Sequence, residues 1–363
     1  MRSILIVKCS AIGDVIQTFD VLEYLRRHFP NARIDWIVEE SIAPLLQAHP
    51  AVNDVLVVNT KKWRQWTRLF SSITETRRFL RTLSSIHYDV LFDLQGNTKS
   101  ALITFFARAR EKVGFGRRSV AEFPNLFATN VKIEVNKEAV SAREKYLALI
   151  SGYLRSGPFD DFSLNVPSFS LKLNKSEKEE LETFFHLILE KKPALLVCFG
   201  AKWKNKQLKE ETLAALLLKI KETFAPQFIL TWGTEEEKEV AERLKQTLQD
   251  SAHTMGGKSL PFMQALMGKT HAILATDSAL LHLSGMTETP TFGLFGPSSA
   301  GYYKPKGEKQ VAFQGECPYA QTFATRCRRL RSCPTGACLR ELSVEKLFTE
   351  FSLFWNRFVA QKN

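Results

Sequence analysis

The sequence predicts an α/β fold in which two domains each contain a parallel sheet covered by helices. Its 363 residues are about twice the length of a typical domain. Short, almost continuously apolar strands alternate with helical patterns in two successive series, which is typical of parallel sheets buried on both faces. A segment rich in Gly, Pro and Asp at Ser156–Ser170 separates the two series, and we predict that it is the linker.

The amino-terminal series begins with an apolar, β-branched run that leads into a turn of small residues and a helical pattern. Three more apolar runs follow, with helical patterns between several of them. The predicted strands are Ser3–Val7, Ile34–Val38, Asp54–Val58 and Tyr88–Leu94, and the predicted helices are about Asp14–His28, Ser71–Ile86 and Lys99–Arg108.

The carboxyl-terminal series begins with a helix predicted by a capping box, since Glu179 stands three residues after Ser176. A last amphipathic helix, Val344–Phe358, is compatible with packing on either domain. The patterns divide the chain into domains at 1–165 and 166–342, followed by a helical segment at 343–363. The predicted strands are Ala194–Phe199, Phe228–Trp232, His271–Thr276 and Thr291–Phe295, and the other helices are Glu210–Phe224, Glu235–Gln249 and Ser278–Met286.

The composition, 44% hydrophobic and 24% charged, is that of a globular protein and excludes a disordered or fibrous chain. The apolar runs are too short to span a bilayer, and the first of them is too short for a signal peptide. We therefore expect the six cysteines to be thiols in a reducing compartment. The net charge of +12 favours an anionic partner, which leaves nucleic acid, an acidic membrane surface and phosphorylated substrates as candidates.

The turns that follow strands are the first places to look for a site, because open α/β sheets bind ligands at the carboxyl ends of their strands. The first turn, Lys8–Asp14, contains small residues and a glycine that let the backbone approach a ligand closely. Asp14 stands where the next helix begins. Its carboxylate is a candidate for chemistry, and the alternative is that it only caps the helix.

The sequence does not predict a nucleotide cofactor. The first strand is not followed by G-x-G-x-x-G. The tripeptides Gly257-Lys258-Ser259 and Gly268-Lys269-Thr270 resemble the end of a phosphate-binding loop, but each lacks the leading glycine five positions earlier.

Two further segments of the first domain are candidates for binding a polar or anionic ligand. The fourth strand runs into Asp93–Ser100, where Gln95 and Gly96 would form a tight polar turn, although they also suit an ordinary cap. The segment Lys61–Arg68 interleaves cations with tryptophans, which suits an anionic glycan, a lipid headgroup or RNA, and equally a solvated surface. Arg117 and Arg118 would extend this basic patch.

The second domain has a lysine-rich turn at Gly200–Lys206 that could neutralise a diphosphate. Trp232 ends the next strand. Its ring either lies beside the base of a bound nucleotide or belongs to the hydrophobic core. The sharpest turn is Thr276–His282, in which Asp277 closes a buried strand while Ser278 and Ala279 present backbone amides at a helix start.

Four cysteines lie in a short basic segment near the carboxyl end. They are separated by nine, five and four residues, and no C-x-x-C pair occurs among them. We therefore do not predict a metal site from the spacing, and the role of these residues stays open. They are Cys317, Cys327, Cys333 and Cys338.

Together these motifs resemble the ADP-heptose:lipopolysaccharide heptosyltransferases of glycosyltransferase family 9. The resemblance covers most of the chain. It is strongest to heptosyltransferase I because of two segments, D-W-I-V-E-E and Lys-Lys-Trp-Arg at 61–64. The matching motifs, in order, are K-C-S-A-I-G-D (Lys8–Asp14), D-W-I-V-E-E (Asp35–Glu40), D-L-Q-G-N-T-K-S (Asp93–Ser100), T-D-S-A-L-L-H (Thr276–His282) and F-G-P (Phe295–Pro297).

The resemblance implies a GT-B fold, in which two Rossmann-like domains with parallel sheets face each other across a cleft. The first domain would bind the acceptor and the second the nucleotide sugar, with a carboxyl-terminal helix crossing back to the first. It also implies an inverting, metal-independent transfer of heptose from ADP-L-glycero-β-D-manno-heptose to Kdo of the lipopolysaccharide inner core.

The same resemblance assigns roles to individual residues. Asp14 would be the general base, and Lys206 would bind the diphosphate, with Lys202 or Lys204 as alternatives in a loop that departs from the family pattern. The remaining donor contacts would be Trp232, Asp277, Ser278, Ala279 and His282, and the acceptor contacts would be Lys61, Lys62, Arg64, Gln95, Gly96 and Arg118.

The implied partners are ADP-heptose, Kdo-lipid A and the inner leaflet of the cytoplasmic membrane, with no cofactor and no nucleic acid. The protein would then be cytoplasmic and peripheral on that membrane. One alternative is a related transferase that uses another sugar nucleotide or a later core acceptor, as heptosyltransferase II does. A remote alternative is a basic RNA-binding protein, although no RRM, KH or helix-turn-helix signature supports it.

Overall fold

The computed structural model describes residues 1–60, 69–136, 141–156, 170–189 and 192–360. The chain divides into two compact units, Met1–Ser163 and Leu164–Asn363. The boundary predicted at 165/166 and most of the predicted linker lie within 157–169, outside the described residues.

The first unit is built on a six-stranded parallel sheet in the order β3-β2-β1-β4-β5-β6. This order is that of the doubly wound nucleotide-binding fold, in which the chain winds outward in both directions from β1. β1 is buried along nearly its whole length, as its continuous apolar run predicts. The strands are β1 Ser3–Val7, β2 Arg33–Glu39, β3 Asp54–Val58, β4 His87–Asp93, β5 Arg108–Phe115 and β6 Val131–Ile133.

Helices connect these strands, and one predicted helix is divided in two. The pattern at Asp14–His28 forms α1 and α2, because the Thr18 hydroxyl donates to the Val15 carbonyl at 2.6 Å and the turn between them is not α-helical. The other helical predictions for this unit are confirmed to within a few residues. The helices are α1 Ile12–Ile16, α2 Phe19–His28, α3 Ala43–Gln47, α4 Leu69–Ser85, α5 Thr98–Phe106 and α6 Ala142–Leu154.

The second unit repeats the architecture with the sheet order β12-β11-β10-β7-β8-β9. Read from β9, this is the same doubly wound order, with β7 in the position of the first strand. β7, β10 and β11 are buried on both faces, which confirms the prediction made from their apolar runs. The strands are β7 Ala194–Cys198, β8 Gln227–Trp232, β9 Ala252–Gly256, β10 Ala272–Thr276, β11 Thr291–Phe295 and β12 Gln310–Gln314.

The first helix of this unit begins two residues earlier than predicted. Asn174 is the N-cap and forms the capping box with Glu177, so the assignment of Ser176 with Glu179 is wrong. The helices are α7 Lys175–Phe184, α8 Glu210–Phe224, α9 Glu235–Leu248, α10 Leu260–Lys269, α11 Ala279–Ser284, α12 Ala300–Tyr303, α13 Ala337–Arg340 and α14 Val344–Phe358.

The last helix, α14, contributes to the core of the second unit. Trp355 stacks on Phe224 of α8 with ring centroids 5.3 Å apart, and Phe351 meets Phe292 of β11 edge to face at 5.6 Å. Such ring pairs raise the free energy of unfolding beyond what burial of the rings contributes. Within the described residues, no helix combines the length and the apolar content that crossing a bilayer requires.

A buried histidine after α3 makes the stability of the first unit depend on pH. Burial, reinforced by the charge of Arg26, lowers the pKa of His49 to about 3, and its Nδ1 accepts from the Ala51 amide at 3.2 Å. The unfolded chain has a histidine pKa near 6.5, so protonation favours unfolding as the pH falls below that value. His49 is thus expected to stabilise the fold fully above pH 7 and progressively less between about pH 6.5 and 3.

Denaturant titrations at pH 7.5 and pH 5.0 test this prediction. The His49 contribution to the free energy of unfolding should fall by about 2 kcal/mol between these two values. His49→Gln should be less stable at pH 7.5 and lose less on acidification, whereas the exposed His87→Gln should behave like the wild type. An unchanged pH dependence in His49→Gln would contradict the assignment.

Candidate functional site

Most of the described candidate residues lie where each sheet changes its winding direction. In a doubly wound sheet the connections leave the central pair of strands in opposite directions, which opens a crevice at their carboxyl ends. That pair is β1 and β4 in the first unit, and β7 and β10 in the second. The turns at Lys8–Asp14 and Gln95–Gly96 follow the first pair, and those at Gly200–Lys206 and Asp277–His282 follow the second.

Asp14 lies in the first turn of α1, where its half-buried carboxylate accepts from the Ala11 amide at 3.3 Å. This contact is the capping role that the sequence offered as the alternative to chemistry. The preceding peptide is tied to the other strand of the pair, because the Ser10 amide donates to Gln95 Oε1 at 3.2 Å. The structure therefore brings the Asp14 and Gln95 turns together.

The Gln95 turn is organised by a buried carboxylate, Asp93, at the end of β4. Its Oδ1 accepts from the amides of Gln95 and Gly96, at 3.0 and 2.9 Å, and its Oδ2 accepts from Asn125 at 2.6 Å. Burial raises the pKa of Asp93, although these hydrogen bonds oppose the shift. Gly96 has φ +68°, and a Cβ there would lie 3.2 Å from Phe115, so the turn needs glycine.

Two lysines meet beside this turn. Lys8 is buried, with its Nζ 4.9 Å from the Tyr146 ring centroid, and the Nζ of Lys145 lies 4.6 Å from that of Phe115. Burial lowers the pKa of Lys145, and the positive charge of Lys8 lowers it further. The positive charge of Lys8 beside Lys145 makes this region well suited to an anionic ligand. Lys145 and Asn125 had no motif in the sequence to mark them.

For the predicted basic patch, the structure gives contacts of Arg117 and Arg118 only. Arg118 is exposed, and its backbone amide donates to Glu134 at 3.2 Å, while the Arg117 guanidinium lies 6.0 Å from the Phe123 ring centroid. Lys61, Lys62 and Arg64 lie outside the described residues. The loop that carries Arg118 does reach the Gln95 turn, because the Glu122 amide donates to the Gly96 carbonyl at 3.0 Å.

In the second unit, the Asp277 carboxylate lies against a lysine and a histidine. Its Oδ2 lies 2.5 Å from Lys206 Nζ, and its Oδ1 lies 3.7 Å from His282 Nε2. All three side chains are largely buried. Burial alone would raise the pKa of Asp277, but the charges of Lys206 and His282 outweigh it and hold that pKa below its usual value. The structure thus assembles three of the predicted donor-binding residues.

Ser278 and Ala279 begin α11 directly after this carboxylate. Ser278 is the N-cap and makes no side-chain capping hydrogen bond, so the first amides of the helix are not covered by its hydroxyl. A ligand at the strand end could accept hydrogen bonds from these amides.

Lys202 and Trp232 each take part in a cation–π contact. Lys202 is exposed, and its Nζ lies 5.7 Å from the Trp203 ring centroid. Trp232 is partly buried against the core of the unit, packed on Gly256, with Lys238 5.2 Å from its ring centroid. Of the lysines in the loop, Lys206 is therefore the one that the structure places against the Asp277 carboxylate.

The chain matches known proteins along most of its length. The family model described as glycosyltransferase family 9 (heptosyltransferase) matches residues 76–331. Lipopolysaccharide heptosyltransferase 1 of Pseudomonas aeruginosa is 29% identical over 89% of this chain and 87% of the relative. Lipopolysaccharide heptosyltransferase 2 of Salmonella typhimurium is 26% identical over 84% of this chain and 86% of the relative.

A solved structure supports the fold. The chain is similar to the Escherichia coli heptosyltransferase WaaC with ADP, at a TM-score of 0.74 and 22% identity, covering 97% of this chain and 99% of that one. This likeness confirms the α/β, GT-B fold class. At that identity it bears on the fold alone.

Proposed function

Because the chain belongs to glycosyltransferase family 9, we propose that it transfers a heptose from ADP-heptose to the lipopolysaccharide inner core. The observation that carries the proposal is the group formed by Lys206, Asp277 and His282 at the carboxyl ends of β7 and β10. It places a cation and a row of helix-start amides where a doubly wound sheet binds a nucleotide diphosphate.

The second unit would bind the donor through complementary contacts. Lys206 has three N–H donors, so it can keep Asp277 and also bind a diphosphate oxygen. The amides of Ser278 and Ala279 would donate to the same phosphates and stabilise the charge that develops as ADP leaves. Asp277 would accept from heptose hydroxyls, and His282 would hold the orientation of that carboxylate.

The first unit would supply the general base. Asp14 would take the proton of the acceptor hydroxyl while the hydroxyl oxygen bonds to the anomeric carbon. The bond from that carbon to the diphosphate oxygen breaks at the same time, and ADP leaves from the opposite face, which inverts the configuration. One Asp14 oxygen accepts from the Ala11 amide, and an ionised carboxylate has the lone pairs to take a proton as a general base.

The acceptor would carry negative charge. Kdo has a carboxylate, and the paired lysines Lys8 and Lys145 beside the Gln95 turn would neutralise it. Gln95 and Gly96 would contact sugar hydroxyls, and Lys61, Lys62, Arg64 and Arg118 would face the more distant charges. We favour Kdo over a heptosylated core because the sequence resembles heptosyltransferase I more closely.

Release of ADP from ADP-heptose in the presence of purified Kdo-lipid A tests the proposal directly. We expect turnover with this acceptor and much less with a core that already carries the first heptose. ADP-heptose should also raise the melting temperature, whereas UDP- and GDP-sugars should not, since a ligand that binds only the folded state stabilises it. Stabilisation by another sugar nucleotide, or turnover only with the heptosylated core, would contradict this assignment.

A lipid-linked acceptor requires the enzyme to reach a membrane surface, and the first unit exposes an apolar patch that suits this purpose. Phe105 is 64% exposed and Phe127 is 78% exposed. They lie on adjoining elements, α5 and the short helical turn Phe123–Phe127. We define the aromatic patch as the exposed side chains of Leu102, Phe105, Phe106, Phe123 and Phe127.

Cations border the aromatic patch, which favours an anionic bilayer as its partner. Lys112 Nζ donates to the Phe105 carbonyl at 2.9 Å, and Arg117 lies over Phe123. Aromatic rings enter the headgroup region while neighbouring cations attract anionic lipid. The protein would therefore be peripheral on the inner leaflet of the cytoplasmic membrane.

Substitution of the aromatic patch should weaken membrane binding. The double variant Phe105→Ser/Phe127→Ser should bind phosphatidylglycerol vesicles at least about tenfold more weakly, because each ring that no longer enters the interface forfeits about 1–3 kcal/mol. Cosedimentation measures the effect. The matched control is Leu353→Ser, which removes a 63% exposed apolar side chain from the second unit. Equal losses in both variants, or none in either, would contradict docking through this patch.

A further inference from the structure

A buried carboxylate at the end of β2 has no role in the proposed transfer. Glu39 is the last residue of this strand and is only 7% exposed. Its Oε1 accepts a hydrogen bond from the hydroxyl of Thr60, which follows β3 and is itself buried. Because a charged group loses its hydration when it is buried, such a carboxylate is retained only where polar neighbours compensate for the loss. The neighbours of Glu39 therefore indicate what it does.

Lys99 is the third member of this arrangement. It lies in the first turn of α5, and its Nζ donates to the Thr60 hydroxyl oxygen at 3.2 Å. One hydroxyl can serve both charged neighbours, because its hydrogen is donated to Glu39 while a lone pair accepts from the ammonium. We define the Lys99 group as Lys99, Thr60 and Glu39. It connects the carboxyl ends of β2 and β3 with the start of α5.

The Lys99 group adjoins the turn that carries Asp14. The Glu39 amide donates to the Cys9 carbonyl at 3.1 Å, in the residues between β1 and Asp14. Burial raises the pKa of the Cys9 thiol, and the charge of Lys99 is near enough to oppose that shift. Lys99 also stands three residues after Gly96 in the chain. Its ammonium therefore lies near both turns of the proposed acceptor site.

The Lys99 ammonium is held in place and still has donors to offer. Lys99 is exposed, whereas Thr60 and Glu39 are buried, so a solvent-accessible cation rests on a fixed support. An ammonium has three N–H donors, and Thr60 accepts one of them. The Glu39 carboxylate acts on this cation through the hydroxyl rather than in a direct ion pair. The cation can therefore bind an anion without giving up its support.

We propose that Lys99 binds an anionic group of the acceptor, either a sugar carboxylate or a phosphate, and that Thr60 and Glu39 are positioning residues for its ammonium. This inference rests on the proposed transfer to the lipopolysaccharide core. A free lysine side chain has many rotamers and loses them when it binds a ligand. Because the Thr60 hydroxyl already holds the ammonium, less conformational entropy is lost when the acceptor binds. Lys99 would thus add to the acceptor affinity and help to select acceptors that carry this charge.

Glu39 contributes by orienting the hydroxyl. The hydroxyl hydrogen of Thr60 points to the carboxylate, so an oxygen lone pair stays available to Lys99. Without the carboxylate the hydroxyl could rotate, and its hydrogen could then face the ammonium instead. The negative charge of Glu39 also favours the charged form of a nearby lysine. The three residues should therefore act as one unit in acceptor binding.

Initial rates of Lys99→Gln with ADP-heptose and Kdo-lipid A test the contact. We expect the KM for Kdo-lipid A to rise about 10–100-fold, the usual effect of losing a charge-assisted hydrogen bond, while kcat and the KM for ADP-heptose stay within about threefold. The matched control is Lys132→Gln, which removes an exposed lysine from β6 and should leave all three constants unchanged.

The outcomes separate this inference from the proposed function. An unchanged KM for Kdo-lipid A in an active Lys99→Gln enzyme would overturn the inference alone. Wild-type protein that neither turns over nor binds Kdo-lipid A would overturn the proposed function, and the inference with it. An equal rise in the KM of Lys132→Gln would show a general effect of positive charge, which also contradicts a specific contact.

Modified acceptors identify the anionic group. The methyl ester of the Kdo carboxylate and Kdo-lipid A without its phosphates each remove one kind of anion. The acceptor that lacks the group bound by Lys99 should have the same KM with the wild type and with Lys99→Gln. A full difference between the two proteins with both modified acceptors would show that Lys99 binds neither group.

Variants of Thr60 test the positioning role. Thr60→Val keeps the shape of the side chain but removes its hydroxyl, so the KM for Kdo-lipid A should rise about three- to tenfold, whereas Thr60→Ser should behave like the wild type. The double variant Thr60→Val/Lys99→Gln should be no weaker than Lys99→Gln alone, because the hydroxyl acts through the lysine. Effects that multiply in the double variant, or the same loss in Thr60→Ser, would show that Thr60 only supports the fold.

Glu39→Gln should also raise the KM for Kdo-lipid A, because a neutral amide orients the Thr60 hydroxyl less strongly than a carboxylate does. The neighbouring Glu40 is exposed and accepts from Asn59, so Glu40→Gln is the matched control and should leave this KM unchanged. Equal values for the wild type and Glu39→Gln would show that Glu39 does not position Lys99.

Discussion

Replacement of Asp14 by Asn is expected to lower kcat by about two to four orders of magnitude, the usual contribution of a general base. Asparagine cannot take the proton of the acceptor hydroxyl. Its amide oxygen can still accept from the Ala11 amide, so the start of α1 should stay intact. The affinity for ADP-heptose should not change, because the donor contacts are assigned to the second unit.

Initial rates and titration calorimetry on the same preparation separate these effects. The control is Asp54→Asn, which changes an exposed carboxylate at the start of β3. Turnover close to that of the wild type in Asp14→Asn would leave Asp14 as a capping residue only. A loss of turnover accompanied by a similar loss of ADP-heptose affinity would also count against a role confined to proton transfer.

Replacement of Lys206 by Gln is expected to weaken ADP binding about 10–100-fold, since a charge-assisted hydrogen bond contributes about 1.5–3 kcal/mol. It should also destabilise the fold by about 3 kcal/mol, because Asp277 would remain buried without its closest cationic partner. The control is Lys204→Gln, which removes an exposed charge from the same loop.

A double variant distinguishes the two consequences. In Lys206→Gln/Asp277→Asn no buried carboxylate is left unpaired, so much of the stability should return while ADP binding stays weak. These measurements should be made at neutral pH. The pKa of Asp277 is held below its usual value in the folded protein. The ionised Asp277 carboxylate therefore contributes to stability above about pH 4, and this contribution is lost only in stronger acid. Recovery of ADP affinity in the double variant would show that Lys206 acts only through Asp277.

The central strands of both sheets could be predicted from the sequence, whereas several peripheral strands could not. β1, β7, β10 and β11 are buried on both faces and therefore read as continuous apolar runs. β6, β9 and β12 include sheet edges and mix polar with apolar residues, so their sequences carry a weaker signal. β5 alternates charged and apolar residues in a way that resembles a helix end.

The sequence by itself determined where the candidate turns lie, because a strand, the glycine or small residues after it and the next helix are encoded by neighbouring residues. It also placed Asp14 at a helix start and Asp277 at the end of a buried strand. Only the tertiary structure decided which of these groups meet. Lys206 joins Asp277 across 71 residues, Asn125 reaches Asp93 across 32, and four unevenly spaced cysteines converge on one cavity. Local patterns carry no information about such pairings, because the folding of the sheets brings distant strand ends side by side.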